Sequence, residues 1–557
     1  MGSSVRTLAA RIRCADVDRR DFLRLSGRAG LASLGLGAAL GALAASPACT
    51  SNGPPNPPAS GGSTTPPSPP STPPASGPTP PTAADWAAFG DSLDGALIRP
   101  GAPGYGVASQ LFNPRFDGSH PAGVAACASE ADVQRAVAFV RAHALPVAPR
   151  SGGHSYAGYS TGPGLVCDVG RLSAVKVDAG ARTATVGAGA RLVDVYAGVA
   201  PHGLSLPGGS CATVGIAGLT LGGGQGVVGR KFGLTSDNVT ALRIVTAGGE
   251  VLTCGPNQHA DLFWACRGGG GGNFGVVTSF TFTLHPLTQL ARFFSAWQWS
   301  AAADVMAAWQ GWGPNAPDEL WSNCHLHTGE GSPVVSVAGT YVGSESALAS
   351  HLHELAGAIP ATATTAFVTT APYLDTMLVE AGCSGKTIAQ CRLPTQDPAG
   401  TLAREASLAR SDYFDRPLST AAIDEIVNHV DERQASTSLR GGGGVAFDAW
   451  GGALNRVPKD ATAFVHRDAL FLAQYFVTLA STGAAEQRAN AAWLDGLYAA
   501  VHPSASGQAY QNYIDPGLHD WQSAYYGSNL PRLIEVKRAY DPDNMFRFAQ
   551  SIPVSQG

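Results

Sequence analysis

Three short segments hold the side chains with the most specific chemistry. The first reads Pro149-Arg150-Ser151-Gly152-Gly153-His154-Ser155-Tyr156 and follows the extended run Pro146-Val147-Ala148-Pro149. Two glycines let the backbone turn tightly and present successive N–H groups to an anion such as a pyrophosphate. Arg150 adds a charge-assisted contact and Ser155 a hydroxyl. Alone, this is a glycine-rich turn, and a His in such a turn is ordinarily a polar surface residue. The second segment runs Gly208-Gly209-Ser210-Cys211-Ala212-Thr213-Val214-Gly215-Ile216-Ala217-Gly218 and continues through Leu221-Gly222-Gly223-Gly224-Gln225-Gly226. It is neither a P-loop nor a dinucleotide fingerprint, because no Gly-Lys-Ser/Thr and no Gly-x-Gly-x-x-Gly opens a helix after a buried strand. Val214, Ile216, Leu219 and Leu221 recur among small residues, which argues against a free surface loop. So much backbone without side chains suits close approach to a large flat ligand. The bland reading of Cys211 is a small buried apolar residue. The third segment is Tyr510-Gln511-Asn512-Tyr513-Ile514-Asp515. A phenol there is either core packing of an aromatic tail or a base, and a base requires a site that stabilises the phenolate, since a free Tyr ionises near ~10.

The elements that carry these segments mix helices with short strands. Ser129-Glu130-Ala131-Asp132 has the form of a capping box, and Val133, Ala136, Val137 and Val140 follow at helical spacing, so a helix is expected over 130–143. Strands are expected at Gly164–Val169, Ala174–Asp178 and Thr183–Ala188, a helix at Arg191–Ala200, and a hairpin from Ala241–Thr246 through Gly248-Gly249 to Glu250–Cys254. Near residue 285 the texture changes to longer candidates, Phe293–Trp299, Val334–Tyr341, Thr420–Val430, Ala446–Gly451 and Ala469–Leu479, which read as a second domain. Cys383 and Cys391 bracket a short loop and suit a local disulfide. His325 and His327 fall in a strand candidate without accompanying ligands, so no metal site is expected.

Together the two glycine-rich segments and the C-terminal run resemble the berberine bridge enzyme-like branch of the vanillyl-alcohol-oxidase (PCMH-type) FAD family. The C-terminal part of the resemblance continues through Trp521, Tyr525-Tyr526-Gly527-Ser528-Asn529, Arg532-Leu533, Val536-Lys537 and Tyr540-Asp541-Pro542-Asp543-Asn544-Met545-Phe546. It covers about Phe112 to Pro553. It implies an α+β fold with a split PCMH-type FAD-binding domain, residues 85–288, an inserted α+β substrate domain, residues 289–506, and a C-terminal berberine bridge enzyme-like segment, residues 507–557. It further implies FAD held covalently at its 8α-methyl carbon by His154 and at C6 by Cys211. Arg150, Ser151, Gly152, Gly153 and Ser155 would line the cofactor from the first loop. Gly208, Val214, Gly215, Gly218, Gly223, Gly224 and Gly226 would do so from the second, with Val276 and Asn512 from elsewhere. Tyr513 is the implied catalytic base, with Tyr510 the runner-up, and Gln474 would orient the substrate hydroxyl. A small Val214 resembles oxidases rather than dehydrogenases at the face where oxygen adds. The expected reaction is oxidation of a hydroxyl group of a sugar, oligosaccharide or other alcohol by hydride transfer to flavin N5, with O2 reduced to H2O2. The rivals are a dehydrogenase with a quinone or protein acceptor and an inactive ligand-binding surface lipoprotein.

The chain has 557 residues, 44% hydrophobic and 14% charged, with a formal net charge of −5. That length suits two sizeable domains with large cores, and a mildly acidic chain without basic blocks is a poor nucleic-acid binder. Arg19-Arg20 ahead of the uncharged Ala/Leu/Gly stretch Ala29–Ala48 resembles a twin-arginine export signal over residues 1–48. Residues 49–84 read as a linker, since 13 Pro occur within 51–81 among Ser, Thr, Gly and Asn. Cys49, directly after Ser46-Pro47-Ala48, is a candidate lipid anchor, although Ser46 stands where the lipidation pattern favours Leu or Val.

Overall fold

The structure, a computed structural model, describes residues 79–555. The arginine pair, Cys49 and most of the Pro-rich segment lie outside the described residues.

The helix Glu130–His143 forms with Ser129 as its N-cap, the Ser129 hydroxyl accepting from the Asp132 N–H at 3.2 Å. The box closes differently from the sequence expectation. The Asp132 carboxylate accepts from the N–H groups of Asp94, Gly95 and Ala128, so it staples the helix to a neighbouring turn. Val133, Ala136, Val137 and Val140 are buried, as their spacing predicts. Three parallel strands, Gly123–Ala126, Leu165–Asp168 and Val147–Arg150, form a sheet with Ala96–Ile98 antiparallel at its edge. Val147–Arg150 occupies the other edge, which is where Pro149 is tolerated. This strand runs directly into the Ser151-Gly152-Gly153-His154 turn.

A second, five-stranded antiparallel sheet has the order Val175–Asp178, Thr183–Gly187, Val276–Thr283, Val239–Val245, Val251–Cys254. The expected hairpin is its last pair. Gly249, at φ +84°, takes the left-handed turn position that other residues resist.

Residues 289–478 supply a seven-stranded antiparallel sheet in the order Thr365–Pro372, Gln289–Trp297, Val334–Tyr341, Leu320–His327, Gly443–Ala449, Phe471–Thr478, Ser407–Phe414. One face, including Cys324, Leu326, Val445, Phe447, Ala473 and Tyr475, packs with the helices Ala302–Trp312, Thr420–Ala435 and Ala484–Val501 in one core. The opposite face turns toward the glycine-rich segments, where the Thr340 hydroxyl donates to the Val227 carbonyl at 2.8 Å. Helices and mostly antiparallel sheets are thus segregated, and the fold is α+β. Cys383 and Cys391 are disulfide-bonded, as their spacing suggested.

The chain then returns to the first half of the molecule. In the helix Leu530–Tyr540, Lys537 is wholly buried and donates to the Asn273 carbonyl, the Phe546 carbonyl and the Asp541 carboxylate at 2.6–2.7 Å. The Asn273 side chain in turn accepts from the Ile552 N–H at 2.9 Å. A buried charge with every proton engaged is costly to orphan. Lys537→Met leaves Asp541 charged and buried, so denaturant titration should show a loss of about 3–5 kcal/mol. An unchanged midpoint would remove this lock from the account.

Candidate active site and cofactor cradle

The two glycine-rich segments meet backbone to backbone. A Cβ on Gly152 would overlap the Gly215 backbone, and one on Gly215 would overlap Ser151 and Gly152. Gly153 sits at φ +69°, which turns the chain so that His154 points back across the junction. There His154 Nε2 and the Thr213 hydroxyl are 2.9 Å apart, and the imidazole stacks on Phe112 at 3.9 Å. Cys211 lies two residues before Thr213, so the fold brings it to the same junction as His154 although 57 positions separate them in sequence.

Other glycines of the second segment serve close packing within the protein. A Cβ on Gly226 would overlap Gly208, one on Gly222 would overlap the Asn512 side chain, and ones on Gly223 and Gly224 would press on Phe464 and Thr235. Gly218 differs, since nothing stands within 4 Å of its Cβ position. Residues that flank the junction also carry unmet polar groups. Arg150 donates to Asp168 and to the Ala108 carbonyl at 2.6 Å, yet its Nη1 is buried without a partner. Arg191 Nη1 and the Thr220 hydroxyl are likewise buried and unpaired. Two guanidinium groups with spare donors, Arg150 two residues before Gly152 and Arg191 paired through its backbone with Gly215, suit the pyrophosphate of a dinucleotide, so this cradle fits FAD. Ser151 is committed elsewhere, donating to the Ala188 carbonyl at 2.6 Å, and the Ser155 hydroxyl accepts from the Tyr159 N–H. Val276 is buried in the core of the five-stranded sheet.

His154, Tyr156 and Tyr513 are half-buried and Cys211 is exposed, so all four retain accessible surface. Burial, assisted by the Arg191 charge, pushes the His154 imidazole down to about 3, so it is neutral at physiological pH. Burial and the nearby Glu405 raise the Cys211 thiol. Across the cleft, Tyr156 stacks parallel to Tyr513 at 5.4 Å, and Gln474 Nε2 donates to the Tyr156 hydroxyl at 2.8 Å. Tyr510 is fully buried, and its oxygen receives the N–H groups of Gly224 and Gln225 and the Asn512 amide. Asn512 also donates to the Leu219 carbonyl at 2.9 Å, tying the C-terminal run to the second segment.

The expected stabilised phenolate is absent from this environment. Burial first, then Tyr156, Asp448 and Tyr510, push the Tyr513 hydroxyl well above its ordinary value, and only Gln225 pulls it down. Asp448 went unnoticed at the level of sequence. It stands in the strand Gly443–Ala449, accepts from Gln225 Nε2 at 3.0 Å and is pushed up to about 7 by burial. Its signal was a lone carboxyl in the otherwise apolar run Val445-Ala446-Phe447-Asp448-Ala449-Trp450. Glu405, also pushed up to about 7 by burial, and Arg191 had no such signal, because only the fold brings them to the cleft. Among the described residues, no group of three or more His, Cys, Asp or Glu could hold a metal ion.

This combination of fold and cleft defines an FAD-linked oxidoreductase. Family models for an FAD binding domain and for "berberine and berberine like" match residues 121–255 and 509–553. The uncharacterized FAD-linked oxidoreductase YgaK of Bacillus subtilis is 34% identical over 469 residues, which is 83% of this chain and 97% of YgaK. Among solved structures, BBE-like 1 of Physcomitrella patens is 30% identical, with a TM-score of 0.77 over 85% of this chain and 100% of its own. A chitooligosaccharide oxidase is 27% identical, with a TM-score of 0.74 over 84% and 99%. The chain belongs to the berberine bridge enzyme-like family of FAD-linked oxidoreductases.

The glycine junction gives a direct test. Gly152→Ala forces the two segments apart, and purified protein should carry less than about a third of the wild-type flavin per chain, read from the ratio of flavin to protein absorbance. Full flavin content would show that the contact is dispensable.

Proposed function

We propose that this protein is an exported oxidase with bicovalently bound FAD that oxidises a hydroxyl group of a carbohydrate or a related alcohol. The observation that carries the double tether is the junction of His154 and Cys211 at one end of the cleft. His154 is neutral and engages Thr213 through Nε2, which leaves Nδ1 as the nitrogen for the 8α bond. Cys211, an exposed residue two positions before Thr213, is the nucleophile for the C6 bond.

FAD held by His154 and Cys211 would supply the two-electron acceptor for the substrate C–H hydride, with O2 as the oxidant that yields H2O2. Tyr513 takes the proton of the substrate hydroxyl. Its own phenol is hard to ionise, so it gives up its proton as the substrate's arrives, and the Asp448 carboxylate, ionised above about 7, is the group that ends protonated and neutral. Gln474 and Tyr156 orient the hydroxyl. Tyr510 is set aside as base because its oxygen is occupied by three donors. The small Val214 beside Cys211 supports O2 as acceptor. A carbohydrate substrate is supported by the likeness to a chitooligosaccharide oxidase. Export is supported by Arg19-Arg20 and the apolar stretch after it, and Cys49 followed by the Pro-rich run suits a tethered or released enzyme.

Acid-precipitated wild-type protein should remain yellow, and Cys211→Ala should keep its flavin through His154 alone. Loss of all flavin from that variant contradicts the double tether.

Tyr513→Phe should lower kcat by roughly 10²–10⁴, measured as H2O2 release with O2 as sole acceptor. The raised Asp448 group is charged only above its shifted value, so activity should fall as pH drops through about 7, and Asp448→Asn should abolish that limb. A limb retained in Asp448→Asn, or reduced wild-type enzyme that O2 fails to reoxidise, rejects the corresponding part of this reading.

A further inference from the structure

The seven-stranded sheet turns a second set of side chains toward the cleft, in register with the residues already described. His325 pairs across the strands with Ala446, and Ala446 with Gln474, so these three form one row. The next row is Asn323, Asp448 and Leu472, and the row on the other side is His327, Gly444 and Phe476. Side chains two apart on a strand share a face, so His325 stands on the same face as Gln474 and Asp448. The alternate residues, Cys324, Leu326, Val445, Phe447, Ala473 and Tyr475, lie in the core on the helix side, which fixes this assignment.

The row of His325, Ala446 and Gln474 has a large polar residue at each end and a methyl group between. Neighbouring strands are about 5 Å apart, so the outer two Cα atoms are separated by about 10 Å, the width of one six-membered ring flanked by hydrogen-bonding side chains. One end of this trough is Asp448, and the other is closed by His327 and Phe476, whose rings approach to 6.4 Å. His325 keeps accessible surface, and among the described residues none is its hydrogen-bond partner; His327, by contrast, is 9% exposed and is held at Nδ1 by the Thr328 carbonyl at 2.7 Å. Burial, with the neighbouring His327, pushes the His325 imidazole down to about 3, so it is uncharged across the working range. A neutral imidazole offers one donor and one acceptor, the pair that an alcohol hydroxyl or two adjacent hydroxyls satisfy.

We propose that His325 is a specificity-determining residue, which binds hydroxyl groups of an uncharged sugar ring seated over Ala446 between His325 and Gln474, with the ring's oxidised carbon toward Asp448 and Tyr513. This deepens the preceding reading and rests on it. A site whose buried polar group loses its partner rejects a ligand far more strongly than one that loses a methylene contact. His325 therefore acts on binding, while Tyr513 acts on the chemical step.

The test uses the flavin-loaded enzyme and a panel of neutral sugars: D-glucose, cellobiose, maltose, xylobiose and chitobiose. His325→Leu removes both hydrogen-bonding atoms and should raise KM for the best sugar by about tenfold, with kcat within about threefold of wild type. His325→Gln restores a donor and an acceptor and should return KM to within about threefold. Ala446→Leu fills the floor of the trough and should raise KM at least as much as His325→Leu, with an unchanged flavin spectrum reporting an intact cradle. Unchanged KM in both His325→Leu and Ala446→Leu, with wild type turning over the sugar, overturns the subsite and leaves the oxidase reading standing. Wild-type enzyme that oxidises none of the panel overturns the carbohydrate reading together with the subsite.

Discussion

The contact between Gly152 and Gly215 is the constraint on which the site depends. Two backbones approach so closely that neither position tolerates a Cβ. Because they do, the turn after the strand Val147–Arg150 and the segment before the helix Ile216–Leu221 become one surface. His154 reaches Thr213, Cys211 comes to the same end of the cleft, and Arg150 and Arg191 keep buried donors unmet beside it. A cradle with spare donors and an open glycine face is built to be completed by an anion. Protein alone leaves its hydrogen bonds unfinished.

The C-terminal run is the second half of this arrangement. Asn512 and Tyr510 bond to the second segment at Leu219, Gly224 and Gln225, and Lys537 fastens the following helix to Asn273. The Tyr510 amide is held in turn by the Ser411 hydroxyl at 3.0 Å, and Asp515 pairs with Arg410 at 2.7 Å, both on the edge strand Ser407–Phe414. Tyr513 is therefore carried on a short turn fixed at one end to the cofactor side and at the other to the seven-stranded sheet. The proposed base and the surface that would present the substrate are positioned by the same strand, so their geometry is coupled.

Burial sets the electrostatics of the cleft more than charge pairing does. His154 and His325 are kept neutral, while Asp448 and Glu405 are each lifted to about 7. Groups that would be fixed charges in water are thereby brought to the threshold of ionisation or held uncharged. Such a site suits an uncharged ligand whose proton must move during the reaction.

The sequence by itself determined the local elements and the glycine-rich segments that carry the site. Periodicity marked the helix Glu130–His143, alternation and turn residues marked the hairpin through Gly248-Gly249, and the glycine runs around His154 and Cys211, taken with the C-terminal run, carried the family resemblance that singles those two out. These signals are short-range, and a helix period or a glycine turn is written in consecutive residues. The tertiary structure alone decided which distant residues share the cleft. Asp448, Arg191, Glu405 and His325 sit in ordinary strands and loops, and their roles arise from pairings tens to hundreds of positions apart. His325 looked incidental because its own segment holds no partner for it. Its place beside Gln474 depends on the register of three strands, which long-range pairing sets and no local pattern records.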